Sequence, residues 1–192
     1  MGKLWLSNSI LDRLAMLQQT EIRHSGINQI AIEKDWWVTV TLKAFFQTDC
    51  SESLIFKGGT SLSKGFNIIE RFSEDIDLAI SHSFFGIEKT SKNQREKLRK
   101  TARAYIHEVL STQLDAKLKA MGVSGYSIEN ITQVQDKNGE WRPIDSDKDP
   151  TVILLHYPSI VEDAISYIPS RVKIEISALS MDEPSEQREI HS

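Results

Sequence analysis

The spacing of apolar side chains divides the chain into helical and extended stretches. Ile10, Leu11, Leu14 and Leu17 form one stripe, which predicts a first helix over 4–23, capped by Ser7 or Ser9 and ended by Gly26. A second helix is predicted from Asn28 to about Thr48, with Ile30, Ile32, Trp36, Trp37, Val40, Leu42, Phe45 and Phe46 mostly inward. Leu54-Ile55-Phe56 is a short apolar run that predicts a buried strand. Gly58-Gly59 follows, then a helical stripe of Leu62, Phe66, Ile69 and Phe72. Residues 75–80 alternate as a strand, and 81–86 form a loop. A long helix from about Lys89 to Met121 is predicted to stop at Gly122, with Leu98, Ala102, Tyr105, Ile106, Val109, Leu110, Leu114 and Leu118 as its apolar positions. Strands are expected at 125–133, 151–157 and 171–177, with Asn138-Gly139 as a hairpin turn. This order predicts an α/β (α+β) domain in which helices flank a mixed, mostly antiparallel sheet.

Composition narrows the picture only a little. The chain has 192 residues, enough for one full domain with a core, and a net charge of −4, which gives no general argument for nucleic-acid binding. A single cysteine, Cys50, excludes an intramolecular disulfide and a cysteine-based zinc site. The five histidines, His24, His82, His107, His156 and His191, show no metal-ligand spacing. No apolar run approaches the ~18 residues of a membrane span, and the N-terminus has no signal-peptide pattern, so a cytoplasmic protein without membrane association is expected. Charge is uneven. Lys89, Lys92, Arg95, Lys97, Arg99, Lys100 and Arg103 make the first half of the long helix basic, either as a surface facing RNA or phosphate or as a solvated face.

The chemistry concentrates in residues 54–80. On a strand, residues i and i+2 share a face, so Asp75 and Asp77 present paired carboxylates while Ile76 turns to the core. Such a pair repels itself unless a cation or a proton intervenes, and its oxygens suit Mg²⁺ (or Mn²⁺). Gly58 and Gly59 permit close backbone approach, Thr60 and Ser61 are helix-capping types, and Lys64 lies one turn further on with a charge suited to a phosphate. A metal-binding pair beside a phosphate cradle is the equipment of phosphoryl or nucleotidyl transfer. Upstream, Glu33-Lys34-Asp35-Trp36-Trp37 interrupts an apolar helix with charge. Lys34 and Asp35 either line the cleft or form a charge pair beside buried tryptophans.

The segment KGGTSLSKGFNIIERFSEDIDL resembles the AbiEii/AbiGii toxin family, whose members carry GGT-x-L-x-K and then R-x-S-x-D-I-D-L. It also resembles the wider nucleotidyltransferase superfamily, with a longer interval between Gly59 and Asp75 that fits this subfamily. A K-D-aromatic-aromatic block before the glycine turn is a further point of likeness. The resemblance implies a nucleotidyltransferase-type fold and a Mg²⁺-dependent enzyme that moves a nucleoside monophosphate from an NTP to an acceptor hydroxyl. It also implies the toxin of a type IV toxin–antitoxin or abortive-infection pair, with RNA or tRNA as the favoured acceptor and an antitoxin as a further partner.

Residue by residue, the resemblance implies that Asp75 and Asp77 hold the metal and that Arg71 and Ser73 shape the nucleotide site with Gly58, Gly59, Thr60, Ser61 and Lys64. It further implies that Glu175, in the V-K-I-[DE] context of 172–175, is the third carboxylate, completing the metal site and serving as base. Residues 1–180 are then expected to be the catalytic domain with its N-terminal helices, and 181–192 a polar tail, without the helical domain that usually follows in the family. Two alternatives stand beside this reading. One is a catalytically incomplete module of the same fold that binds a nucleotide or an antitoxin; the other is an aminoglycoside-type transferase, which needs an acidic drug pocket.

Overall fold

A computed structural model describes residues 4–24, 27–66, 75–88, 91–161, 168–178 and 186–190. A short 3₁₀ turn, Trp5–Ser7, precedes α1 (Ile10–Arg23). The expected helix over 4–23 is therefore two pieces. Ser9 is extended and its Oγ accepts the Asp12 N–H at 3.1 Å, so the helix starts only after it. The stripe expected on α1 is also largely uncovered: Leu17 is buried, but Ile10 and Leu11 face solvent.

Helix α2 (Gln29–Phe45) is capped by Asn28 and packs on α1. It ends earlier than Thr48 because the Thr48 hydroxyl donates to the Phe45 carbonyl at 2.7 Å. Phe46, expected inward, is exposed just past this end.

Strand β1 (Leu54–Lys57) leads directly into α3 (Gly58–Lys64), and β2 (Asp75–Ile80) follows. Leu62 and Phe66 are partly exposed, so this much of the expected stripe does not enter the core; Ile69 and Phe72 lie outside the described residues. The Phe66 ring meets the Arg188 guanidinium at 5.0 Å, so part of the expected polar tail returns to the domain, and Ile190 packs against the core.

The long helix is continuous but not uniform. α4 (Lys92–Tyr105), capped by a Ser91–Gln94 capping box, passes through a π-helical turn at Ile106–Leu110 into α5 (Ser111–Ala120). Its buried apolar side chains, Leu98, Ala102, Ile106, Leu110, Leu114 and Leu118, recur every fourth residue. In an ideal α-helix that spacing drifts about 40° per step, and the wider π turn takes up part of the drift. The same turn carries Val109, expected inward, out to solvent. Gly122, at φ +81°, ends the helix as expected.

The stretch expected as one strand at 125–133 divides. β3 (Ser127–Asn130) belongs to the main sheet, whereas β4 (Gln133–Gln135) pairs with β5 (Trp141–Pro143) in a separate ribbon turned at Asn138-Gly139. Asp136 Oδ1 accepts the Asn138 and Glu140 N–H groups and holds that turn. β6 (Thr151–His156) and β7 (Arg171–Ser177) complete the chain's sheet.

Among the described residues the main sheet runs β1-β2-β7-β6-β3. It is antiparallel except between β2 and β7, which is the mixed, mostly antiparallel sheet the alternation predicts. Ile76, Leu78 and Ile80 of β2 and Val172, Ile174 and Ile176 of β7 are all buried on the core. α2 packs on both of these strands, so the alternate residues of β2 and β7 are left for the opposite face. Trp37 anchors this packing: it is 1 % exposed and stacked on Tyr157 with ring centroids 4.9 Å apart.

The Trp37 indole N–H is buried with no hydrogen-bond partner among the described residues. Removing an unpaired donor relieves a desolvation penalty, whereas removing the ring leaves a cavity. Trp37→Phe is therefore expected to cost less than about 2 kcal/mol and Trp37→Ala about 3–5 kcal/mol in urea unfolding.

Candidate active site

The glycine turn and the acidic strand are built onto one another. The chain leaves β1 through Gly58 at φ +74°, a conformation that L side chains rarely adopt. A Cβ placed there would lie 2.1 Å from Asp77 Oδ2 and 2.9 Å from Asp77 Cβ. Position 58 therefore has two independent reasons to be glycine, and the second is the acid itself. The Thr60 hydroxyl donates to the Asp75 backbone carbonyl, and Ser61 Oγ donates to the Gly58 carbonyl at 2.9 Å. Both side chains are buried. Their hydroxyls thus fasten the turn to the start of β2 and close the first turn of α3, and Gly59 follows Gly58 in that turn.

Strand register assembles the carboxylates. β2 and β7 pair in parallel with Asp75 opposite Lys173 and Asp77 opposite Glu175, while β1 sets Lys57 opposite Asp77. All five side chains stand on the sheet face away from α2. Burial pushes the Asp77 carboxyl above the ordinary aspartate range; the charges of Glu175 and Asp75 push it further, and Lys57 and Lys173 oppose them. Glu175 Oε1 lies 2.5 Å from Lys173 Nζ, and that hydrogen bond holds the lysine above its usual range. The carboxylate oxygens are hard donors of the kind that Mg²⁺ or Mn²⁺ takes, and the repulsion on Asp77 is what such a cation would discharge. Among the described residues no group of three or more His, Cys, Asp or Glu side chains stands ready to hold a metal; Glu175 is turned onto Lys173.

The charged block of α2 braces this arrangement from the side. Lys64 is 8 % exposed, pairs with Asp35 Oδ1 at 2.6 Å and donates to Thr39 Oγ1 at 2.9 Å. Its ammonium joins α3 to α2. Lys34, 1 % exposed, donates to the Pro169 carbonyl at 3.3 Å, two residues before β7. Glu33, also 1 % exposed, accepts from Ser159 Oγ at 2.5 Å and from the Ile160 N–H at 3.1 Å. Burial raises the Glu33 carboxyl, against the hydrogen bonds from Ser159 and Ile160. Three consecutive charges thus grip both ends of the β6–β7 connection and the helix behind the glycine turn.

Glu33 and Lys57 are absent from the reading of the sequence as site residues. The available signal for Glu33 is a run of charge inside an otherwise apolar helix; for Lys57 it is its place directly before the glycine pair. Arg71 and Ser73 lie outside the described residues.

Part of the basic surface is internally engaged. Arg99 pairs with Asp147 at 3.0 Å, Lys100 with Glu96, and buried Arg103 donates to the Ile131 carbonyl. Lys92, Arg95 and Lys97 remain exposed. His82 Nδ1 lies 3.2 Å from the Ile87 carbonyl. No helix among the described residues is long and apolar enough to cross a membrane.

A family model described as nucleotidyl transferase AbiEii toxin, type IV TA system, matches residues 41–192. The match takes in the glycine turn, both acids of β2 and Glu175, and begins after the charged block of α2. No curated protein and no solved structure matches the chain.

Gly58→Ala is expected to cost about 2 kcal/mol or more in chemical denaturation, because the strained φ and the Asp77 contact add. Gly139→Ala is the comparison: its φ is +81° but nothing lies near its Cβ position, and it is expected to cost about 1 kcal/mol.

A second expectation concerns pH. A carboxyl raised by folding favours the folded state below its unfolded value and loses that contribution as pH rises through the folded value. Asp77→Asn is therefore expected to raise the thermal midpoint near pH 7, and the gain should vanish as pH falls through the acid range where wild-type Asp77 protonates. Thermal scans of both proteins across pH check this.

Proposed function

The chain belongs to the nucleotidyl transferase AbiEii toxin family of type IV toxin–antitoxin systems, and on that premise we propose that it transfers a nucleoside monophosphate from an NTP to an acceptor hydroxyl. The observation that carries this reading is the register of β2 and β7. It sets Glu175 beside Asp77 and Asp75 on one sheet face, with the Gly58 turn against Asp77.

In this reading Asp75 and Asp77 supply oxygen ligands, and Glu175 completes the set once Lys173 releases it. Bound Mg²⁺ or Mn²⁺ would neutralise triphosphate charge and polarise the α-phosphate. Lys57 and Lys173 offset the negative field of the three acids. The Gly58-Gly59 turn lets the triphosphate approach the backbone, while Thr60 and Ser61 hold that turn rigid and the Lys64–Asp35 pair fixes α3 behind it. Arg71 and Ser73 complete the nucleotide site by resemblance. Glu175 takes the proton of the acceptor hydroxyl as its oxygen bonds to the α-phosphorus, and the bond to pyrophosphate breaks. RNA is the acceptor proposed, with exposed Lys92, Arg95 and Lys97 as phosphate contacts, and an antitoxin is the expected cellular partner.

One observation favours a second reading. The Glu175–Lys173 contact leaves the third acid engaged, as in a module that binds a nucleotide without transferring it.

Incubation with each α-³²P-labelled NTP, cellular RNA and Mg²⁺ or Mn²⁺ separates the two. Transfer is expected to label RNA and to fall about 10²-fold or more in Asp75→Asn, Asp77→Asn and Glu175→Gln. Undiminished transfer by the aspartate variants would refute the site. Metal-dependent NTP binding with no transfer to any acceptor would establish the binding module.

A further inference from the structure

Helix α1 has a sheltered face and an exposed one, and both carry apolar residues. Leu14, Leu17, Thr20 and Glu21 are its sheltered positions; α1 packs on α2 there, and Glu21 accepts from Gln29 Nε2 at 2.7 Å. The exposed stripe is Leu11, Ala15, Gln18 and Ile22, spaced i, i+4, i+7, i+11 along one line of the helix. Leu11 is 78 % exposed and Ile22 74 %. Exposed Met16 stands beyond Asp12 on one flank of that line. A shallow depression of about 650 Å³ runs along the same side, with Asp12, Ala15, Met16, Gln19 and Ile22 among its walls, away from the carboxylates of the candidate active site. Single exposed leucines are ordinary, but Leu11 and Ile22 stand on one line with Ala15 and Gln18 between them, and exposed apolar residues aligned in this way mark a contact surface.

Charge selects the occupant. Asp12 and Arg23 are eleven residues apart, three helical turns to within about 20°, so they stand on the same flank of the stripe at opposite ends. Both are exposed, and neither forms an ion pair among the described residues. An identical helix laid antiparallel puts Asp12 of each copy near Arg23 of the other, and brings Leu11 against Ile22 and Ala15 against Gln18. A parallel arrangement would place the two Asp12 side chains on opposite edges of the seam, and neither would meet Arg23. Ala15 and Gln18 leave the centre of the pair without a bulky apolar clash, so the two backbones can approach.

We propose that α1 is a self-association surface on which a second copy of this chain docks, α1 against α1, antiparallel, through the Leu11–Ala15–Gln18–Ile22 stripe with two Asp12–Arg23 ion pairs. α1 lies outside the residues matched by the family, and the proposal stands whether or not the chain transfers nucleotides. One helix pair falls at the small end of specific interfaces, below about 1,200 Å² in total, so a reversible dimer is expected rather than a permanent one.

Sedimentation equilibrium of the whole chain from low micromolar to about 500 µM tests it. The weight-average mass is expected to rise from the 21.8 kDa of one chain toward twice that value. Leu11→Asp, at a solvent-facing position, should keep the circular dichroism and thermal midpoint of the wild type while weakening the dimer at least about tenfold. Asp12→Arg and Arg23→Asp should each weaken it about fivefold, in a salt-dependent way, and the double swap should recover it. A monomer throughout the range, or a dimer indifferent to Leu11→Asp, overturns the surface. A dimer that Leu11→Asp disrupts but that the double swap fails to restore overturns the antiparallel pairing.

Discussion

The close approach of Gly58 to the Asp77 carboxylate governs this domain. It falls at a positive φ where β1 passes into α3, and it leaves no room for any side chain at that point. In return it brings a turn of backbone within contact of an acid that lies between two others. The cost is electrostatic. Asp77 is half-buried and faces Glu175 across the strand pair, with Asp75 two residues away on its own strand. The opposite face of the same strands supplies the compensation, because Ile76, Leu78, Val172, Ile174 and Ile176 are buried against the helices. A strand that is apolar on one face and acidic on the other can hold like charges together only when its register is fixed, and core packing fixes it.

The second support comes from α2. A helix interior with Glu33 and Lys34 both 1 % exposed is unusual, since buried charges persist only when they are paired or hydrogen-bonded. Here each reaches backbone or hydroxyl groups of the β6–β7 connection, the segment whose end sets the start of β7 and therefore the height of Glu175 relative to Asp77. Asp35 does the corresponding work for α3 through Lys64. Glycine turn, acidic strand and third acid are separate in sequence, and one charged turn of α2 braces them together.

How much of this was legible in the chain differs by residue. Asp75 and Asp77 could be placed on one face because strand periodicity is local, and the alternation of 171–177 put Glu175 and Lys173 on a common face for the same reason. The backbone carbonyls that the Thr60 and Ser61 hydroxyls take could not be read locally, because one of them, that of Asp75, lies 15 residues on. The Lys64–Asp35 pair was not legible, because Asp35 lies 29 residues earlier on another helix and nothing local announces such a pair. Glu33 escaped notice because Ser159 is 126 residues away. On α1 periodicity gave one stripe, Ile10, Leu11, Leu14 and Leu17, but could not say which of its positions would be covered. The π turn at Ile106–Leu110 arises from the fit of a fourfold spacing to a core, which is a tertiary demand.

The central claim is that Asp75, Asp77 and Glu175 form one cation-dependent nucleotide site. Its most direct test is the unfolding midpoint of the wild type and of Glu175→Gln with each NTP, in Mg²⁺ and in chelator. If the three acids act together, saturating Mg²⁺–NTP raises the wild-type midpoint by roughly 5–10 °C at a hundredfold excess over the dissociation constant, the chelator removes the shift, and Glu175→Gln loses most of it. A shift of the same size in chelator, or one that Glu175→Gln leaves intact, would contradict the account.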